Sequence, residues 1–521
     1  MRSVIVMVVT MAVAIIACAT ARGATWYVAP GGDNGADGTT ELTAWADLDR
    51  ADDAVSPGDV VILLDGEYRY TWTRVLATSG VPGAWITYRA KTTHNAWVHS
   101  TGSMSTSPPT GYQDPIEVRG SYVAIEGLKV QSDSEGHGIE VNSAHHVRIV
   151  DCLAVDCGGS GVSVIYSDEV TIQGCTIRDC CRTNPFQTSG ISIYHPVARD
   201  AGAFPGFEVR NNEISGCQVD VPYGSVFTDG NGIIIDDFSN LWGGTYPDDW
   251  PEAALRGQTL PHYAKGALVE GNTTYDNGGR GIHALNSDAV TVRYNTIYLN
   301  NRFDLDGTWE AALSFQSSRD ARVVDNIVVA EAHAHTTHAV LLANATGQSL
   351  RVTWGRNLLY GHTNVLVTSG VTAVLEGDNL VGVDPAFVSP SVDAASADFR
   401  LRADSPAVDA GGSEPPPVDR AGVARPQGSY ADLGAYELPE DGGAGDDDPA
   451  DPPDGDPGDV PDAYDPYGGG AGGNGDSGIS CAPWSASGFR VAGRIAFAVC
   501  VALVLVVAGR RRGAAPSSFR A

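Results

Sequence analysis

Between Tyr194 and His283 the chain gathers groups able to do chemistry: Asp200, Asp229, Asp236 and Asp237, with Lys265, Arg280 and the two histidines that bracket the stretch, His195 and His283. Clustered carboxylates suit a hard cation such as Ca²⁺, and the ligand set expected here is Asp236, Asp237, Asp229 and Asp200. A cation lying over a uronate carboxylate acidifies the adjacent C–H, and a base then removes that proton. Lys265, Arg280 or His283 is the expected base, with Asp236 as a further catalytic group. Tyr194, His195, Trp242, Tyr246 and Trp250 add flat, partly polar surfaces of the kind that stack on sugar rings, so they are the expected substrate-binding residues. Hydrolysis is the alternative chemistry. It needs two carboxyl groups flanking the bond, and Asp236 and Asp237, being neighbours, face opposite ways in a regular strand unless the chain bends or Asp200 or Glu310 serves as partner. A non-catalytic carbohydrate-binding or adhesin-like surface is the third reading.

These residues need a frame that brings distant segments together. The phrase apolar-x-apolar-x-x-Asn/Cys recurs at Val147/Ile149/Cys152, Val170/Ile172/Cys175, Phe207/Val209/Asn212, Ala267/Val269/Asn272, Val290/Val292/Asn295, Ala321/Val323/Asn326 and Val352/Trp354/Asn357. Each is followed by a short apolar piece and then by a Gly-led alternating strand such as Gly190-Ile191-Ser192-Ile193 or Gly232-Ile233-Ile234-Ile235. Period-two alternation predicts strands, and the shortest repeat, 23 residues from Cys152 to Cys175 and from Asn272 to Asn295, predicts one coil of an all-β, right-handed parallel β-helix with three strands per coil. The Asn/Cys positions then stack as a ladder. Cys157, Cys180 and Cys217 each lie five residues beyond a ladder position and stack likewise, either as disulfides or as reduced thiols. Long loops interrupt only two adjacent coils, at Thr183–Thr188 and Tyr194–Pro205 and at Gln218–Asp229 and Asp237–Lys265, and so wall one patch of the cylinder.

The remaining segments read as follows. Residues 1–23 have the form of an export signal, with Cys18 as an alternative lipoprotein site. Residues 24–115 form an N-terminal cap, in which Leu42, Trp45, Leu48, Ala51 and Val55 have helical spacing, and 116–382 form the coils. A small C-terminal domain spans 383–438. Residues 439–480 make an acidic Pro/Gly-rich linker expected to be disordered, and 481–521 hold an apolar run from Ile495 to Gly509 before Arg510-Arg511-Arg512, expected to be a transmembrane helix. Of the 521 residues 63 are acidic and 33 are Lys or Arg, and a net charge of −30 excludes nucleic acid as partner. The expected partners are an extracellular polysaccharide, the membrane through the C-terminal helix, and sorting or processing machinery; the protein is expected to be a monomer.

Four resemblances fit this plan. The opening Trp26-Tyr27-Val28-Ala29-Pro30-Gly31-Gly32-Asp33, with Pro57-Gly58-Asp59-Val60 and Asp65-Gly66-Glu67-Tyr68, resembles the N-terminal cap of bacterial pectate-lyase-like β-helix proteins. Val383-Asp384-Pro385-Ala386-Phe387-Val388, Ser405-Pro406-Ala407-Val408-Asp409-Ala410-Gly411 and Asp432-Leu433-Gly434-Ala435-Tyr436-Glu437 resemble the choice-of-anchor Q domain. The tail from Cys481 resembles the Myxo-type sorting signals of Gram-negative surface proteins, which implies an exported protein at the cell surface, membrane-anchored or processed and released. In plan the chain is also similar to family 9 polysaccharide lyases, which join a β-helix to an aspartate-bound Ca²⁺ and a lysine base. His283 occupies the outward position after Gly-Ile where that plan calls for a lysine, and the nearest lysine, Lys265, is in a loop. A Ca²⁺-dependent polysaccharide lyase is therefore the first expectation, ahead of hydrolase and adhesin.

Overall fold

The computed structural model describes residues 23–440 apart from 102–111, 187, 201, 203, 223–226, 228, 303–310, 332–337 and 345–349. Alternating Val, Ile and Leu produce three long parallel sheets of 10, 12 and 11 strands, here sheets I, II and III, each strand pairing with its counterpart in the coils before and after. One coil illustrates the order: Ile139–Asn142 in sheet I, His145–Val150 in sheet II, Leu153–Cys157 in sheet III, then Val162–Ile165 back in sheet I. Inward side chains stack like on like, as where Val147 and Ile149 meet Val170 and Ile172, and the whole column is sealed from solvent. Burying each such side chain contributes about 1.5–3 kcal/mol.

The ladder stands in single file. Asn212, Asn272, Asn295, Asn326 and Asn357 each donate a side-chain amide N–H to the side-chain carbonyl of the next, at 2.9–3.2 Å, the file ending on Asn379 as acceptor, and Asn212 accepts from the backbone of Cys175. A left-handed residue stands just before each ladder position from Cys152 to Asn357, at Asp151, Gly174, Asn211, Gly271, Tyr294, Asp325 and Arg356, with φ of 48–69°, and makes the bend that aims it inward. A second, shorter ladder holds Cys217, Asn277 and Asn300. All six described cysteines are buried free thiols, so the reduced stack, not the disulfides, is what forms here; burial raises the thiol pKa of Cys180 and Cys152.

The expected helical cap is not formed as such. Only Leu48–Asp52 is α-helical, Leu42 is fully exposed, and Trp45 is buried from an extended segment, because Asp47 caps the helix just before Leu48. Residues 387–437 pack Phe387, Phe399, Leu401 and Leu433 onto Tyr275, Ile327 and Leu358 of sheet III and its flank, which removes that face from solvent. Among the described residues no helix is long and apolar enough to cross a membrane. The export signal, the acidic linker and the C-terminal helix lie outside the described residues.

Candidate functional site

Among the described residues, sheet I is the sheet whose outer face has the long loops on both flanks. Because its strands are in register, Glu117, Glu140, Ser163, Ser192, Ile234, His283 and Ser314 form one outward column. Asn142, Ile165, Tyr194, Asp236, Leu285 and Gln316 form the next. Along the edge runs a polar ladder in which Asp114, His137, Ser160, Ser189, Asn231 and Arg280 are joined through backbone and side-chain bonds of 2.6–3.3 Å. The 237–266 loop is a small lobe whose Trp250 and Leu260 form a core with Val197 of the preceding coil's loop, and Asp249 on it reaches Arg119, several coils toward the N-terminus.

Near the first coils lies a carboxyl cluster that the sequence reading passed over. Glu117 accepts from Arg119 Nε at 2.7 Å and from Asn142 at 3.2 Å. Its direct neighbour across the strands, Glu140, is hydrogen-bonded to Asp114. Burial, and then the charges of Asp114 and Glu117, hold the Glu140 carboxyl well above the usual carboxylate range; burial and the Glu117 charge raise Asp114 as well. Burial also lowers His137, to about 4, so its imidazole is neutral and accepts from the backbone of Ser160. Glu140 sits in a column already visible in the repeat. Asp114 and Glu117 belong to a coil with Pro115 in place of the strand-leading glycine, so the repeat did not reveal them.

The expected residues divide. Asp236 is half-buried on the sheet face; burial, with Asp237 and Asp229 nearby, pushes its carboxyl well up, the Trp242 side chain bonds it, and its Oδ1 is buried without a hydrogen bond. Asp237 points away from the face. Its carboxylate accepts the backbone N–H groups of Leu241 and Trp242 and bonds His195 Nε2 at 2.8 Å, so both residues brace the lobe. Tyr194 stacks on His195 at 3.7 Å, leaving that histidine buried rather than open to a sugar. Trp242 is 38% exposed and available, whereas Trp250 is buried beneath Tyr246 and the Arg199 guanidinium.

Lys265 is not placed as a base. Its ammonium donates to Asp168, Asp200 and Glu169 at 2.6–2.8 Å, and these hydrogen bonds, outweighing the cost of burial, raise its pKa. Asp200 is thereby drawn into the lysine cage and away from Asp236. Asp168, Glu169 and Asp200 are the one carboxylate trio among the described residues whose oxygens converge as a metal site would, and the lysine ammonium already serves as their cation. Asp229 instead bonds Asn231 at 2.9 Å. The set Asp236, Asp237, Asp229 and Asp200 therefore does not fit a resident Ca²⁺. His283 is buried against Ser314 Oγ, 2.6 Å away; burial and then Arg280 depress its pKa well below the usual value, which leaves it neutral and a weak base. Arg280 is buried at the edge of the same face.

A cylinder of parallel coils with one loop-walled face defines a β-helix protein with a site laid along its length. Residues 26–183 match the Pel9A-like right-handed β-helix region and residues 205–353 the right-handed β-helix region, so the chain carries a pectate-lyase-like right-handed β-helix. No curated protein matches it. Similar solved structures include the pectate lyase Pel9A, at 16% identity and a TM-score of 0.45, covering 79% of this chain and 96% of that one. An alginate lyase from Paenibacillus sp. str. FPU-7 has 17% identity and a TM-score of 0.39, covering 64% and 95%. A glycoside hydrolase has 9% identity and a TM-score of 0.45, covering 71% and 98%.

Proposed function

We propose that the protein binds an acidic polysaccharide along the outer face of sheet I and hydrolyses it with a carboxyl pair. The observation that carries this reading is the register of Glu117 and Glu140, directly opposite on neighbouring strands, one paired with Arg119 and the other held protonated. Adjacent strands are about 4.8 Å apart, so directly paired outward residues leave the sheet side by side, and a retaining enzyme needs its two carboxyls as such near neighbours, roughly 5–5.5 Å apart. Glu140 then gives its proton to the leaving glycosidic oxygen while the Glu117 carboxylate attacks the anomeric carbon. Water later displaces Glu117, returning a proton to Glu140, with Asp114 orienting the acid. Trp242 and Tyr194 serve as sugar platforms further along the face.

Elimination, the first expectation from sequence, stands second. In its favour is the trio Asp168, Glu169 and Asp200, which has the oxygen chemistry for Ca²⁺. A metal would have to displace Lys265 from that trio, and no step is assigned to it. Export and display at the cell surface, as a monomer, complete the proposal and rest on the sequence alone.

The test is to incubate the purified protein with a panel of uronate polymers while following reducing ends and the ultraviolet absorbance of unsaturated products. Rising reducing ends with flat absorbance is expected. Absorbance rising in step would establish elimination, and neither signal would leave only a binding protein.

A further inference from the structure

We propose that Trp72 is a further sugar-binding residue, and that the Glu117–Glu140 pair therefore cuts off-centre in a groove running from Trp72 to Trp242; the inference rests on the sheet I reading and deepens it. Sheet I begins with the strand Arg74–Leu76, in which Arg74 pairs with Ile116 and Val75 with Glu117. Trp72 lies two residues before Arg74, as Asp114 lies two residues before Ile116, so Trp72 stands one coil beyond Asp114 at the end of the polar edge ladder. Thr73 fixes that placement. Its N–H donates to Gln113 Oε1 and its Oγ1 accepts the N–H of Asp114, both at 3.0 Å, and Asp114 is the partner of Glu140. At 59% exposure Trp72 is the most exposed tryptophan among the described residues.

The ring is held in place before any ligand arrives. The Arg74 guanidinium carbon lies 4.9 Å from its centroid, and the same guanidinium covers Tyr70 at 3.9 Å and pairs with Asp49, with its side chain only 5% exposed. A buried, paired cation thus backs an indole that is otherwise open to solvent, and an ordered aromatic surface of this kind takes the apolar C–H face of a pyranose at little cost in ordering. Trp242 closes the other end of the groove: its side chain bonds Asp236, its backbone N–H donates to Asp237, and it is 38% exposed. Strand order sets the asymmetry. From Arg74–Leu76 to Ile233–Asp236 there are five steps between neighbouring strands; Glu117 is one step from the Trp72 end, and Glu140 is three steps from the Asp236 end. Each step is about 4.8 Å, comparable to the advance of an extended glycan per sugar, so the bond over the pair has roughly one or two sugars on the Trp72 side and at least three on the Trp242 side.

The test uses the full chain with oligogalacturonates and oligomannuronates of two to seven sugars, labelled at the reducing end, and reads products by mass spectrometry. A heptamer is expected to be cut nearer one end, releasing mainly mono- or disaccharide, and kcat/KM is expected to climb steeply up to the pentamer. Trp72→Ala is expected to lower pentamer kcat/KM at least tenfold, and Trp72→Phe, which keeps an aromatic face, to restore most of that loss. Phe204→Ala, which removes a ring 49% exposed away from this face, is expected to change neither rate nor cutting position. Cleavage at the centre of the heptamer, or a rate indifferent to Trp72, overturns the inference while hydrolysis by the pair stands. If the parent cuts neither series, the Glu117–Glu140 reading falls, and calorimetry of the Glu140→Gln protein decides on Trp72 alone. There a tenfold weaker pentamer affinity in the Trp72→Ala background upholds its role as a sugar platform, and equal affinity or no binding of either series overturns it.

Discussion

At the scale of the residue, the decisive contrast is between charges that are neutralised and carboxyls that are kept protonated. Lys265 was the natural candidate for a base on chemistry alone, yet three carboxylates stabilise its charged form. Glu140 and Asp236 are the reverse: burial among like charges makes the ionised form costly, which is the environment of a general acid. Replacing either member of the proposed pair, Glu140→Gln or Glu117→Gln, is expected to lower the cleavage rate by roughly 10²–10⁴-fold with little change in the melting curve, measured as reducing ends per unit time. Asp236→Asn probes the electrostatics separately. A carboxyl whose folded pKa is raised binds more protons in the native than in the unfolded state. Its contribution is therefore full below the unfolded value near 4 and is lost as pH rises toward the folded value. The asparagine variant should accordingly show a flatter decline of Tm with pH above about 4 than the parent, and an equal or steeper decline would refute the protonated state of Asp236.

At the scale of the element, the ladder and the lobe do different work. Each ladder asparagine bonds the coil above and the coil below from a site closed to water, so Asn295→Ala strands buried partners on both sides. Its expected cost is about 1–3 kcal/mol by denaturant unfolding, and a change within error would show that the ladder is dispensable. The lobe is pinned at two points, by Asp237 with His195 and by Lys265 with its three carboxylates. Lys265→Met is expected to lower Tm by roughly 5–10 °C, because Asp168 is left buried without its cation; adding Asp168→Asn should restore part of the loss. A lysine acting as a catalytic base would instead lose activity with Tm unchanged.

At the scale of the whole molecule, a face spanning many coils suits a polymer better than a small ligand. The candidate Ca²⁺ ligands are dispersed between the lysine cage, the lobe and the sheet. Cleavage and Tm are therefore expected to be unchanged by EDTA or millimolar Ca²⁺, and a Tm rise with Ca²⁺ would reopen elimination.

The sequence by itself determined the coils, their register and the two columns in which Glu140 and His283, and Tyr194 and Asp236, stand, because a repeat fixes which residues become neighbours along an axis. It also marked the loops that wall the face. What only the tertiary structure decided was how each group is partnered: that Lys265 finds Asp168, 97 residues away in sequence, that Asp237 turns to His195, and that Asp114 joins Glu140. Those outcomes depend on where irregular loops return and on how much water they exclude, and protonation depends on both. Neither is carried by a repeating pattern, which is why the outer face of sheet I was legible in the sequence while the Glu117–Glu140 pair on it was not.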